Sequence, residues 1–289
     1  MKRRHAPSLS ALVRVVAACA GVLCAGAGAA DPAHAYRFAP MNQYGLDTTT
    51  RYWGPIVDYV SRHSGVNLEL KVGRTSIDTS AYVLTGQVDF AYSNHFHSPD
   101  RDYLGWKIFA RRQIPPVRAE IVVLDDSPLR DLSALAGRRI VFPGPESVVP
   151  YKLPYAELLR RKITVQAVFA GNMADVFEHL GAGDVDAGGT NSLEADNWYG
   201  RGGRRLRVLW QSEPVFDAPL LVSERVPPAD LAAVRKALLD MSGDAEGVKI
   251  LEQASALIGL SETAGFVAAG SADYKPYRDF YRTAPAGLR

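Results

Sequence analysis

Apolar positions along this chain fall into short segments of two alternating kinds. Residues 48–63 place Tyr52, Ile56, Tyr59 and Val60 at helical spacing before Gly65. Residues 67–72 instead alternate, with Leu68, Leu70 and Val72 on one face, as a half-buried strand does. The same alternation continues. Strands are predicted at 36–41, 88–92, 106–110, 121–124, 139–142, 165–169, 185–188, 206–210 and 220–223. Helices are predicted at 76–84, 132–135, about 149–161, 173–180, 229–241, 245–251 and 261–267. Strands alternating with helices predict an α/β fold with sheets flanked by helices.

Two segments interrupt this rhythm. One is 112–118, which carries Pro115-Pro116; the other is 214–219, which follows the strand at 206–210. Two crossings between lobes make the first lobe discontinuous. The expected division is 36–115 with 219–289 as lobe 1 and 116–218 as lobe 2. A ligand then sits where strand ends of the two lobes face each other.

The first 35 residues follow another pattern. Lys2, Arg3, Arg4 and Arg14 precede an apolar and small-residue run from Val15 to Ala30, broken by Asp31-Pro32. A basic start, a short apolar core and A-x-A-like sites are the features of a secretory signal, with cleavage expected after Ala29 or Ala35. The run is short for a membrane span of roughly 20 residues. The stretch Val16-Ala17-Ala18-Cys19 resembles a lipidation site, but Arg14 leaves almost no apolar core before that cysteine. The protein is therefore expected in the periplasm.

Composition then changes the picture in two respects. The chain has 289 residues, 22% charged and 47% hydrophobic, as globular proteins do. Both cysteines, Cys19 and Cys24, fall in the signal, so the exported chain has no disulfide, thiolate metal site or cysteine nucleophile. Removing 1–35 takes four of 33 basic and one of 31 acidic residues and leaves a net charge of −1, which gives no reason to expect nucleic acid.

Several segments together resemble one family. They are Tyr52-Trp53-Gly54-Pro55 with Tyr59-Val60 and Ser64-Gly65-Val66; Leu84-Thr85-Gly86-Gln87-Val88-Asp89-Phe90-Ala91; 129–142 with Asp131-Leu132 and Gly137-Arg138-Arg139; 180–191; and Asp217-Ala218-Pro219-Leu220. In this order, over nearly all of 36–283, the chain resembles the phosphate, phosphite and phosphonate binding proteins of bacterial ABC transporters. These have the two-lobed type II periplasmic binding-protein fold. The resemblance implies mixed sheets flanked by helices, a ligand cleft between the lobes, a small-molecule ligand, a membrane permease as partner, and a monomer.

Small oxyanions bind well to backbone N–H groups at helix starts, helped by hydroxyl and aromatic donors. The loop 143–149 precedes a helix and holds Ser147, so it is the expected anion cradle. The candidate ligand-binding residues are Tyr44, Tyr92, Ser93, Asn94, His95, Ser147, Val148, Val149, Met173, Asn191 and Asp217. The resemblance also marks departures. Phosphonate binders of the family carry adjacent hydroxyl residues where Val148 and Val149 stand here, and often a histidine where Met173 stands. Each hydroxyl lost to a charged ligand costs on the order of 1.5–3 kcal/mol. A smaller or less charged oxyanion, or a neutral polar molecule, is expected instead of a strongly charged phosphonate.

Other readings of the same residues stand beside this one. The same bivalve could serve a two-component histidine-kinase ectodomain in place of a permease. His95 and His97, with Met173, could form a soft-metal site in a periplasmic metal-binding protein, although the favoured reading has no metal and no cofactor. No G-x-S-x-G, H-E-x-x-H, P-loop or G-x-G-x-x-G motif is present, so no catalytic activity is expected.

Overall fold

The structure, a computed structural model, describes residues 35–94 and 96–289. The export signal expected at 1–35 lies outside these residues except for Ala35, and so does His95. The chain opens with β1 (Tyr36–Pro40), α1 (Leu46–Ser64), β2 (Leu68–Leu70), α2 (Ser76–Leu84), β3 (Phe90–Tyr92) and β4 (Lys107–Arg112). It continues with β5 (Ala119–Leu124), β6 (Arg139–Phe142), α3 (Leu153–Arg160), β7 (Gln166–Phe169), α4 (Met173–Ala182), β8 (Ala187–Asn191), α5 (Ser192–Gly200) and β9 (Leu206–Gln211). It ends with β10 (Pro219–Val222), α6 (Pro228–Asp240), α7 (Ala245–Leu257), β11 (Phe266–Ala268) and α8 (Lys275–Thr283).

These strands form two sheets. One has the order β11-β4-β10-β3-β1-β2, the other β7-β6-β8-β5-β9. The first sheet thus takes strands from both ends of the described chain, and the second takes only strands between the two crossings. Both sheets are mixed. β1 is parallel to β2 and β3, and β6 to β7 and β8. The first strand after each crossing runs the other way: β5 is antiparallel to β8, and β10 to β3. The crossings also pair with each other, as the N–H of Val117 and the N–H of Val215 each donate to the other residue's carbonyl at 2.8 Å. A two-stranded ribbon of this kind bends more easily than a sheet.

The helical spacing of α1 buries Tyr52, Trp53, Ile56, Val57, Tyr59 and Val60 against the first sheet. Trp53 is central there, with its ring 5.0 Å from both Phe38 and Tyr92. That contact fixes the Tyr92 ring and aims its hydroxyl toward the crossing. In the second lobe β8 passes close to the turn before α3. A Cβ added at Gly189 would lie 2.2 Å from the Pro150 carbonyl oxygen, so only glycine allows this approach.

The C-terminal part departs from expectation. The expected helix at 261–267 is an irregular lead into β11, which pairs with β4. The segment is too short for periodicity to separate helix from strand. Gly265 fits against Ser242, and its carbonyl accepts from the N–H of Gln113. The helix α8 was not expected. It presents Tyr277, Phe280 and Tyr281 to a cluster holding Val117, Val148, Val149 and Ala156, so the chain's end packs on residues between the crossings.

Candidate functional site

The cleft arises because strands of both sheets end at one place. Met41, Asn42 and Gln43 follow β1, Asn94 follows β3, Pro143 follows β6, and Asn191 ends β8. With Ser147, Val149, Met173 and Asp217, these residues line a cavity of about 40 Å³. That is room for about three water molecules, so the lobes are nearly closed.

One wall of the cavity is backed by buried charge. Asp217 begins the approach to β10, and Arg112 ends β4 beside it. The Arg112 guanidinium is 1% exposed, with Nε 2.8 Å and Nη2 2.6 Å from the same Asp217 oxygen, Oδ2. The Tyr92 hydroxyl donates to that oxygen at 2.5 Å, and its ring lies 5.2 Å below the guanidinium carbon. Burial alone would depress the Arg112 pKa, but Asp217 together with Tyr92, Tyr44 and Tyr52 more than offsets it and holds the pKa above its ordinary value. The Tyr274 hydroxyl bonds the Asp217 carbonyl at 2.7 Å, and the Tyr277 hydroxyl bonds that of Phe216, so α8 braces the crossing.

Beside this pair lies a second buried carboxyl. The Tyr44 hydroxyl donates to Glu194 Oε1 at 2.8 Å. Burial raises the pKa of Glu194 and that of Tyr44. Glu194 sits in the first turn of α5, whose cap is Asn191: the Asn191 side-chain oxygen accepts from the N–H of Glu194.

The opposite wall is built from backbone. Ser147 precedes a wide helical turn, Val148–Lys152, that runs on into α3. Pro150 and Pro154 have no N–H to donate, and the turn closes through longer bonds, including Lys152 N–H to Ser147 O at 3.0 Å. The first amides of such a turn have no partner within the helix and form a ready anion cradle. Lys152 is buried; it turns toward Tyr281 at 3.3 Å and Glu146 at 3.6 Å, and burial lowers its pKa.

The predicted residues are therefore spread over two depths. Asn94, Ser147, Val149, Met173, Asn191 and Asp217 face the cavity. Tyr44 and Tyr92 stand behind it, bonded to Glu194 and Asp217. Ser93 is buried off the cavity, and Val148 turns into the apolar cluster with α8. His97 is also off the cavity, packed against Tyr274 at 5.3 Å and Tyr277 at 4.5 Å, while Met173 accepts from the Thr190 hydroxyl. His97 and Met173 thus have separate contacts. Arg112, Glu194, Asn42 and Gln43 were missed by sequence reasoning. The local sequence did not mark Arg112 or Glu194, whose partners lie far along the chain.

Contacts between protein groups hold the cleft shut. The Gln43 carbonyl accepts from the N–H groups of Met173 at 3.0 Å and Ala174 at 3.2 Å, filling the N-terminus of α4. The N–H of Ser76 donates to Gly171 O at 3.0 Å, Arg101 pairs with Glu146 at 2.8 Å, and Tyr44 reaches Glu194. Within the cavity, Asn94 Oδ1 is a buried acceptor with no hydrogen-bond partner.

A profile of the family described as "ABC transporter, phosphonate, periplasmic substrate-binding protein" matches residues 38–274. No curated protein matches the sequence. Among solved structures, a binding-protein component of an ABC phosphonate transporter from Pseudomonas aeruginosa is similar, with a TM-score of 0.72 at 16% identity over 86% of each chain. The PhnD1 protein of Prochlorococcus marinus, solved with methylphosphonate, gives 0.71 at 15% identity over 86% of this chain and 97% of that one. XAC2383 of Xanthomonas citri, solved with chloride, gives 0.67 at 19% identity over 88% and 97%.

Proposed function

The chain belongs to the periplasmic substrate-binding proteins of phosphonate ABC transporters, and on that premise we propose that its cleft captures a small oxyanion of low charge. Phosphite and methylphosphonate as monoanions are the ligands that suit it best. The protein delivers this ligand to a membrane permease, acts in the periplasm as an exported monomer, and performs no chemistry on the ligand.

One observation carries the charge assignment. Among the described residues lining the cavity, Asp217 alone is charged, and Arg112 already neutralises it. A dianion would meet no free cation there. A singly charged, protonated oxyanion can rest on the amides after Ser147 and donate its own proton to the orphaned oxygen of Asn94. The cavity of about 40 Å³ favours a ligand of few heavy atoms.

The test is a thermal-shift and calorimetric screen of the exported protein with phosphite, methylphosphonate, phosphate, sulfate and longer organophosphonates. At 100 times Kd a ligand adds about 2.7 kcal/mol of stability. Phosphite and methylphosphonate are expected to bind, and more tightly below their second ionisation than above it. A panel in which no oxyanion shifts the melting temperature refutes the reading.

A further inference from the structure

We propose that Arg112 is the specificity-determining residue of the cleft: acting through Asp217 and never touching the ligand, it cancels the wall's negative charge and so allows an anion to enter. This rests on the oxyanion reading above. Asp217 lines the cavity, whereas Arg112 lies behind it. A ligand therefore meets the carboxylate first. Alone, that carboxylate would repel an oxyanion across a buried cavity where water screens little.

The geometry fits neutralisation better than simple bracing. Two guanidinium nitrogens and the Tyr92 hydroxyl all address Oδ2, at 2.8, 2.6 and 2.5 Å. The positive charge is thus centred on one oxygen, with the Tyr92 ring beneath it. Glu194, the other buried carboxyl in this field, is engaged by the Tyr44 hydroxyl. Arg112 is thus the cation that offsets Asp217 at the cavity wall.

Four variants separate charge from structure. Arg112→Met is expected to weaken methylphosphonate binding about a hundredfold, because it leaves Asp217 buried and unopposed. Asp217→Asn keeps an acceptor for Tyr92 and leaves the guanidinium unopposed, so anion affinity should rise severalfold. The double variant Arg112→Met with Asp217→Asn restores a neutral wall and should return to within about threefold of wild type. Arg112→Lys keeps the charge and should stay within about tenfold. An orthogonal readout uses aminomethylphosphonate, which adds an ammonium to the same anion. Its affinity relative to methylphosphonate should rise at least tenfold in Arg112→Met, since the freed Asp217 then favours a cation.

Circular dichroism establishes that each variant is folded, and Arg112→Lys and the double variant serve where Arg112→Met does not fold. A folded double variant as weak as Arg112→Met, or an unchanged preference between the two phosphonates, overturns this inference while leaving the oxyanion reading intact. Failure of the wild-type protein to bind any oxyanion overturns both.

Discussion

The two walls of the cleft solve the same problem by different means. The wall after Ser147 offers backbone amides, and its side chains are apolar or small: Val149, Pro150, Pro143. The wall at the crossing offers a side-chain network, in which Arg112, Asp217 and Tyr92 share one oxygen. A backbone wall is insensitive to most substitutions, because its donors survive them. A side-chain wall can be retuned by one residue, and breaking it exposes a buried charge. On the proposals above, ligand recognition divides into a fixed part that cradles an anion and an adjustable part that sets its charge.

The largest effect should come from the adjustable wall. Asp217→Ala removes the partner of a guanidinium that is 1% exposed. It should cost about 3–5 kcal/mol of stability in denaturant titration. A loss under about 1 kcal/mol would mean that water reaches Arg112 and that the two walls differ less than the structure indicates.

The cradle should respond more mildly and in the opposite direction. Val149→Thr puts a hydroxyl beside the amides without changing volume much. Calorimetry should show methylphosphonate affinity rising about tenfold, the worth of one hydrogen bond to a charged group, with stability lowered by about 1–3 kcal/mol because the hydroxyl enters a buried, largely apolar site.

The smallest expected effect is a change in pH slope. Burial raises the pKa of Glu194. The folded protein therefore keeps this proton at a pH where the unfolded chain has lost it. Stability falls as pH rises from the ordinary glutamate range through the raised value, and is unaffected below that range. Glu194→Gln removes this fall, so the melting temperatures of variant and wild type should diverge in the variant's favour as pH is raised from 4 to 8. Parallel curves would mean that Glu194 binds its proton equally well in the folded and unfolded chain.

The two sheets were legible because their strands carry a clear apolar pattern that two proline-bearing segments interrupt. Asp217, Asn191 and Ser147 were legible because they stand at strand ends or helix starts, where chain geometry decides what faces a cleft. Val148 was not. On the wide turn Val148 and Val149 both pack into the cluster with α8, and only Val149 also lines the cavity, a distinction that the packing of α8 makes visible. The helix α8 itself carried a signal in Tyr277, Phe280 and Tyr281, at helical spacing in a nine-residue segment of otherwise polar character. Arg112 and Glu194 depend on partners 105 and 150 residues away, Asp217 and Tyr44. Local pattern does not encode such pairings.

The carbonyl of Gln43, seated on the first amides of α4, bears on how the protein works over time. It is a fastener made by protein groups alone, as are the contacts of Ser76 with Gly171 and Arg101 with Glu146. Each bond lowers the cost of closing the cleft, so less of that cost falls on contacts with the ligand. The same fasteners must be undone at release. The dwell time of cargo is thereby set partly by bonds that never touch it, and a permease that pries the lobes apart would act on those bonds first.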